Sequence, residues 1–151
     1  MCGVLTRRQP SVVKALKSFD QFRGCKKAQL RDVGRLVEQV SVPEGKILVR
    51  EGQFGREFFL ILSGSVEVTQ KDRLVNVLGS GDFFGELAAL NCGPRNATVT
   101  ALSGLELLVI GRRAISAMLD IAEFRNTLLR RLASRLQVVE AQLATALDAV
   151  D

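Results

Sequence analysis

Residues 81–101 read GDFFGELAALNCGPRNATVTA, and their order predicts two strands joined by a turn and a loop. Glycines at the start of this stretch end one strand, and the two phenylalanines that follow enter the core. Gly85 then permits a tight turn into a short helical turn from Glu86 to Leu90. A loop containing glycine and proline follows and delivers Arg95 at the head of the next strand.

The start of that helical turn predicts an anion site. Its backbone amides have no partner within the turn, and they and the local dipole favour negative charge. The guanidinium fork of Arg95 fits two phosphate oxygens, and an ionised Glu86 accepts sugar hydroxyls. The spacing is therefore that of a candidate site for a sugar phosphate. In the alternative, Glu86 and Arg95 simply pair with each other across the loop.

Short apolar runs separated by glycine occupy the middle of the chain, at the roughly 8–12-residue spacing of an antiparallel sandwich or jelly-roll barrel. The runs are Ile47–Val49, Phe58–Leu62, Val66–Val68, Leu74–Leu78, Ala97–Ala101 and Leu107–Ile110. Several of them alternate apolar and polar residues, as half-buried strands do. Ser63 and Gly64, between two runs, indicate a hairpin turn.

Both ends of the chain predict helices. Leu30, Val33, Val37 and Val40 form one apolar stripe at helical spacing. Near the other end, residues 113–119 suit a short helix. Residues 123–150 contain neither glycine nor proline and suit a long one.

The long C-terminal segment carries apolar residues that step alternately by three and four. These are Leu129, Leu132, Leu136, Val139, Leu143, Ala146 and Val150. Such a seam is typical of a coiled coil and predicts a homodimer through this helix. Leu128, Val138 and Leu147 widen the stripe, so an amphipathic helix lying on its own barrel is the alternative.

Composition excludes several classes of function. The chain has no histidine, which excludes His-dependent catalysis and imidazole metal sites, and its three scattered cysteines suit a reducing cytoplasm. No run approaches the roughly 18 apolar residues of a membrane span. The net charge of +5 comes from basic residues near both ends. These residues form either solvated helix faces or a surface that binds the phosphate backbone of a nucleic acid. No specific nucleic acid is indicated as a partner.

The stretch 81–101 resembles the phosphate-binding cassette of the cyclic-nucleotide-binding domain family. Residues 48–64, LVREGQFGREFFLILSG, resemble a second motif of that family. The resemblance implies one mainly β domain over 1–151, an eight-stranded antiparallel jelly-roll barrel with flanking helices. N-terminal helices would span 1–40 and the β-roll 41–110, with the cassette at 84–97. C-terminal hinge or lid helices would span 111–151.

The resemblance also implies the binding residues. The cyclic phosphate would bind Arg95, Asn96, Ala97 and Ala88, and the ribose would bind Gly85, Glu86 and Leu87. Glu86 takes the 2′-hydroxyl.

The base would lie over Val68 and Val77. A residue of the last helix would cover it: Arg135 by position, with Arg131 or Leu132 as alternatives.

The function implied is that of a regulatory sensor for cAMP or cGMP. Asn96 stands where the family usually has Ala, Ser or Thr and leaves the choice of base open, while family frequency favours cAMP. No nucleophile–base pair, metal cluster or nucleotide-triphosphate loop indicates an enzyme or a cofactor. The effector is unknown. One alternative is a degenerate interaction module that binds no nucleotide. Another is the effector domain of a transcription regulator without its DNA-binding module, because the 16 residues after Arg135 (136–151) are too few for such a module.

Overall fold

The computed structural model describes residues 5–7, 12–17, 22–86, 90 and 93–150, and the account below concerns these residues. The elements in chain order are β1 Leu5–Arg7, α1 Val12–Lys17, α2 Lys27–Gly34, β2 Val37–Val42, β3 Ile47–Val49, β4 Phe58–Ser63, β5 Val66–Gln70, β6 Arg73–Leu78, β7 Phe83–Phe84, β8 Thr98–Ala101, β9 Leu105–Ile110, α3 Arg112–Leu119 and α4 Ala122–Asp148. The two C-terminal helices agree with the sequence prediction.

The strands form two antiparallel sheets, one in the order β1-β2-β9-β4-β7 and the other in the order β3-β8-β5-β6. Strands β2–β9 supply four strands to each sheet, which is the eight-stranded roll expected from the sequence. Strand β1 adds a fifth strand at the edge of the first sheet. The mainly β fold with flanking helices is confirmed.

The first sheet separates two hydrophobic cores because adjacent side chains of a strand face opposite ways. Phe59 and Ile61 pack against Val66 of the second sheet, so this core lies between the sheets. Phe58 and Leu60 face away from them and share a second core with the helices. The molecule therefore has three layers: helices, first sheet and second sheet.

The helical stripe predicted through Val40 is wrong beyond residue 34. Helix α2 ends at Gly34, and Val37 and Val40 belong to strand β2, where they pair with Ile110 and Leu107 of β9. The valines of β2 are β-branched and pair well in a sheet, which outweighs their helical spacing. The β-roll consequently begins at Val37 rather than at residue 41.

The hairpin predicted at Ser63 and Gly64 is also wrong, because the strands on either side lie in different sheets. Gly64 has a φ of +94°, so it makes the turn by which the chain crosses between them. The hairpin of this region joins β5 to β6 instead. Its two-residue turn is Lys71-Asp72, with φ values of +49° and +62°, the left-handed conformation that such tight turns need.

Helix α4 packs on the domain through its N-terminal half. Phe124 and Leu128 are buried, whereas every residue from 133 to 150 is exposed. Among the described residues, no helix is both long enough and apolar enough to cross a membrane.

Candidate functional site

Arg95 is held by its backbone at the start of the second sheet. Its N–H donates to the carbonyl of Gln53 at 2.8 Å, and its own carbonyl accepts from the N–H of Gly52 at 2.8 Å. These two bonds fasten the loop before β4 to the end of the cassette. The arginine is only 8% exposed, so it lies inside the domain.

Two glycines make room for that guanidinium. Nη1 of Arg95 donates to the carbonyl of Gly85 at 3.1 Å. A Cβ placed on Gly85 would lie 2.7 Å from Nη1, and one placed on Gly55 would lie 2.5 Å from Nη2. Gly85 also has a φ of +82°, which favours glycine. The guanidinium therefore fits between two stretches of bare backbone.

The electrostatic surroundings of the Arg95 guanidinium combine burial with one nearby carboxylate that does not form an ion pair with it. Burial lowers the pKa of Arg95 below its ordinary value, and the Glu57 carboxylate acts in the opposite direction. Among the residues that the structure describes, no carboxylate forms an ion pair with Arg95. An anion bound at this guanidinium would satisfy donors that now lie in a poorly solvated place.

Glu86 follows Gly85 directly and is 5% exposed. It does not pair with Arg95, so that alternative from the sequence is not what the structure shows. Its Oε1 instead accepts a hydrogen bond from Nη1 of Arg135, on α4. Two residues predicted to contact the ribose and the base thus contact each other.

A second arginine of α4 contacts the same region. Arg131 donates to the Asp82 carboxylate at 3.2 Å and to the Gly81 carbonyl at 3.3 Å. Its guanidinium also lies over the ring of Phe83, 5.4 Å from the centroid. Arg131 therefore fixes α4 to the strand that leads into the cassette.

The remaining phosphate and ribose residues are only partly described. Leu87 and Ala88 lie outside the described residues. Ala97 is buried beside Arg95. Asn96 is exposed, and its backbone carbonyl accepts a hydrogen bond from the Gln70 side chain at 2.9 Å.

The two valines predicted for the base do not lie together. Val68 is partly buried against the core between the sheets and pairs with Asn76 of β6. Val77 pairs with Glu67, on the opposite face of the sheet, and is 52% exposed. The structure therefore places Val68, but not Val77, toward the interior of the roll. The pairing of β5 with β6 shifts register between Val68 and Thr69, and the alternation of apolar and polar residues in β6 does not reveal this shift.

Sequence reasoning missed two contributors to the site. Gly55 was visible as the second glycine of a Gly-x-x-Gly pattern, yet only the fold brings it against Arg95. Asp82 gave no signal of its contact with Arg131, because the two are 49 residues apart in the chain.

An open groove of about 910 Å³ lies beside the β5–β6 hairpin, away from this chemistry. Its lining includes Asn96 but neither Arg95 nor Glu86. We take the buried arginine and its neighbouring carboxylate as the site, because charge and buried hydrogen-bond donors mark a ligand position better than open volume does.

Comparison with known proteins gives the family. The family model of the cyclic nucleotide-binding domain matches residues 39–121. The CRP-like cAMP-activated global transcriptional regulator of Mycobacterium tuberculosis is 28% identical over 129 residues, covering 82% of this chain and 58% of that protein. The cGMP-dependent protein kinase, isozyme 1, of Drosophila melanogaster is 32% identical over 135 residues, covering 83% of this chain and 17% of the kinase.

The solved structures agree. The catabolite activator protein of Thermus thermophilus superimposes with a TM-score of 0.74 at 25% identity, covering 82% of this chain and 61% of that one. The chain thus spans less than two thirds of each of these three relatives. The matched segment runs from β2 to the residue before α4 and contains both glycine motifs, the cassette and Arg95. This chain belongs to the cyclic nucleotide-binding domain family.

Proposed function

We propose that this chain binds a cyclic nucleotide monophosphate, cAMP in preference to cGMP, and works as a single ligand-gated regulatory domain in the cytoplasm. One observation carries the proposal: the buried guanidinium of Arg95 has no carboxylate partner among the described residues, and it donates to the carbonyl of Gly85, the residue directly before the shielded Glu86. A cyclic phosphate carries a single negative charge that matches the first group, and its ribose carries a hydroxyl that matches the second.

The proposed contacts follow from this geometry and from family membership. The phosphate lies against Arg95 with the backbone of Asn96, Ala97 and Ala88, and the ribose against Gly85, Glu86 and Leu87. The base lies over Val68. A base contact by Arg135 requires that its bond to Glu86 opens first.

The choice of cAMP rests on the frequency of this ligand in the family. The relatives include both a cAMP-activated regulator and a cGMP-dependent kinase. Asn96 can donate and accept, so it suits either base or the phosphate.

The proposed output is a change in α4. This helix touches the cassette region through Arg131 and Arg135, and its residues from 133 onward are exposed. A ligand shifts its position only by binding one arrangement better than the other. The domain would act on an effector that these residues do not identify, and it would do so without catalysis.

We further propose that a second copy of the chain covers the exposed stripe of α4. Leu136, Val139 and Leu143 are each more than half exposed although they follow the heptad seam. An isolated helix with such a stripe is only marginally stable in water, and pairing would bury it.

Titration calorimetry with cAMP, cGMP and 5′-AMP tests the proposed function. We expect binding of a cyclic nucleotide and much weaker binding of 5′-AMP, whose extra phosphate charge and open ring do not match a single guanidinium. Calorimetry suits this protein because it has neither Trp nor Tyr for intrinsic fluorescence. Absence of heat with all three would leave the fold as an interaction module.

A further inference from the structure

Two arginines one helical turn apart hold α4 against the cassette region, but they do so with different partners. Arg131 contacts Asp82, which is 38% exposed in its side chain, together with a carbonyl and an aromatic ring. Among the residues that the structure describes, Arg135 bonds to Glu86, whose side chain is 6% exposed. The two arginines therefore have different partners, and the partner of Arg135 is a residue of the proposed ligand site.

The Glu86 carboxylate is shielded from water, so its oxygens need hydrogen-bond donors from the protein or from a ligand. Removing water from a carboxylate is costly unless hydrogen bonds replace it. In the structure Arg135 supplies such a bond. The 2′-hydroxyl of a bound ribose would approach the same shielded carboxylate, so the arginine and the hydroxyl would meet at one acceptor group.

We propose that Arg135 competes with the ribose of the nucleotide for Glu86. This inference rests on the proposed function and concerns the regulation of the same site. Each binding event exchanges the Arg135 bond for the ribose bond, so the arginine lowers the affinity. Release of Arg135 also frees one turn of α4, while Arg131 still attaches the helix to the strand before the cassette.

The competition gives Arg135 an effect opposite to that of a base contact. If Arg135 mainly covered the base, its removal would weaken binding. If it mainly occupies Glu86, its removal strengthens binding, because the carboxylate is then available at no cost. Arg135 is 60% exposed in its side chain, so its bond to Glu86 is of moderate strength, with solvent screening one end of it.

The test is calorimetry of Arg135→Gln with cAMP and with 2′-deoxy-cAMP. We expect the affinity of the variant for cAMP to exceed that of the wild type by about three- to tenfold. The affinity for 2′-deoxy-cAMP should change less than twofold, because this ligand has no hydroxyl with which to displace the arginine. Arg130→Gln is the matched control: it removes the same charge from an exposed position on the same helix and should leave both affinities unchanged.

The possible outcomes separate this inference from the proposed function. If the wild type binds no cyclic nucleotide, the proposed function is wrong, and the competition with it. If the wild type binds cAMP and Arg135→Gln binds it equally or more weakly, only the competition is refuted. An equal gain for cAMP and 2′-deoxy-cAMP would likewise refute it, since Arg135 would then act on something other than the 2′-hydroxyl.

Discussion

Replacement of Arg95 by glutamine should separate binding from folding. The guanidinium uses one of its five N–H donors on the Gly85 carbonyl and has no ion-pair partner among the described residues, so its other donors remain for a phosphate. Loss of one partner of a buried charged pair costs about 2–5 kcal/mol. We take about 2–4 kcal/mol here, because the phosphate of a cyclic nucleotide keeps some access to water. The expected loss of affinity is roughly 30- to 1000-fold.

Calorimetric titration with cAMP measures this loss, and thermal unfolding without ligand provides the second readout. Burial already lowers the pKa of Arg95, which means that the folded protein holds this charge at a cost. Arg95→Gln should therefore unfold at the same Tm as the wild type or at a higher one. Arg95→Lys should also bind poorly, because an ammonium cannot replace the planar fork.

Arg56→Gln is the control for net charge, since Arg56 is exposed in the same loop region. It should bind cAMP as the wild type does. An Arg95→Gln variant with unchanged affinity would refute the assignment of the phosphate site. A variant with a much lower Tm and no ligand-specific defect would show that the arginine serves the fold.

Three further predictions concern the surroundings of the site and the helices. Gly55→Ala should lower cAMP affinity about tenfold in the same titration, because its Cβ would overlap a guanidinium nitrogen at 2.5 Å, whereas Gly93→Ala, whose Cβ would meet no described atom within 4 Å, should not. Burial first, and the Glu123 charge second, raise the pKa of Cys25, so its thiol should be alkylated slowly at pH 8 and faster in Glu123→Gln. Mass spectrometry of the peptide that contains Cys25 measures both rates, and equal rates would show that the Glu123 charge does not contribute. Leu143→Asp should shift the protein from dimer to monomer in sedimentation velocity, and a wild-type monomer would refute the proposed pairing.

The sequence predicts most of the roll because each strand of β3–β6 carries its own local pattern and is bounded by turn residues. The sequence-based prediction fails at β2, where the valines are compatible with both the helical and the strand period. Val37 and Val40 are three apart, as on a helix, yet Val40 and Val42 alternate with Ser41 as in a strand. Pairing with β9 decides in favour of a strand, because every residue of β2 is paired with it. A local sequence pattern cannot show this pairing, since β9 lies more than sixty residues later in the chain.

The site divides in the same way between local and distant information. Gly85, Glu86 and Arg95 lie within one short stretch, so their spacing was visible. The partner of Glu86 was not, because Arg135 lies 49 residues away and no motif connects the two. Val77 was misplaced for a further reason: the register shift in β5–β6 changes which face of the sheet a residue occupies.

Strand β7 explains how an event in the cassette can reach the helices. It has only two residues, and they face opposite cores. Phe84 stacks on Phe59 in the core between the sheets, with ring centroids 4.8 Å apart. Phe83 faces the helical layer, where its ring meets that of Phe124 of α4 edge-on at 6.1 Å.

The residue after this pair is Gly85, whose carbonyl accepts the hydrogen bond from Arg95. A ligand that draws the arginine toward its phosphate therefore acts on backbone directly joined to both phenylalanines. Close-packed interiors do not absorb a backbone shift without moving the neighbouring rings. Because Phe83 touches α4 and Arg131 lies over the same ring, a shift of the cassette is felt first by the buried end of that helix. If α4 moves as proposed, its exposed residues from 133 onward would carry the displacement to the surface where an effector or a second copy of the chain would bind.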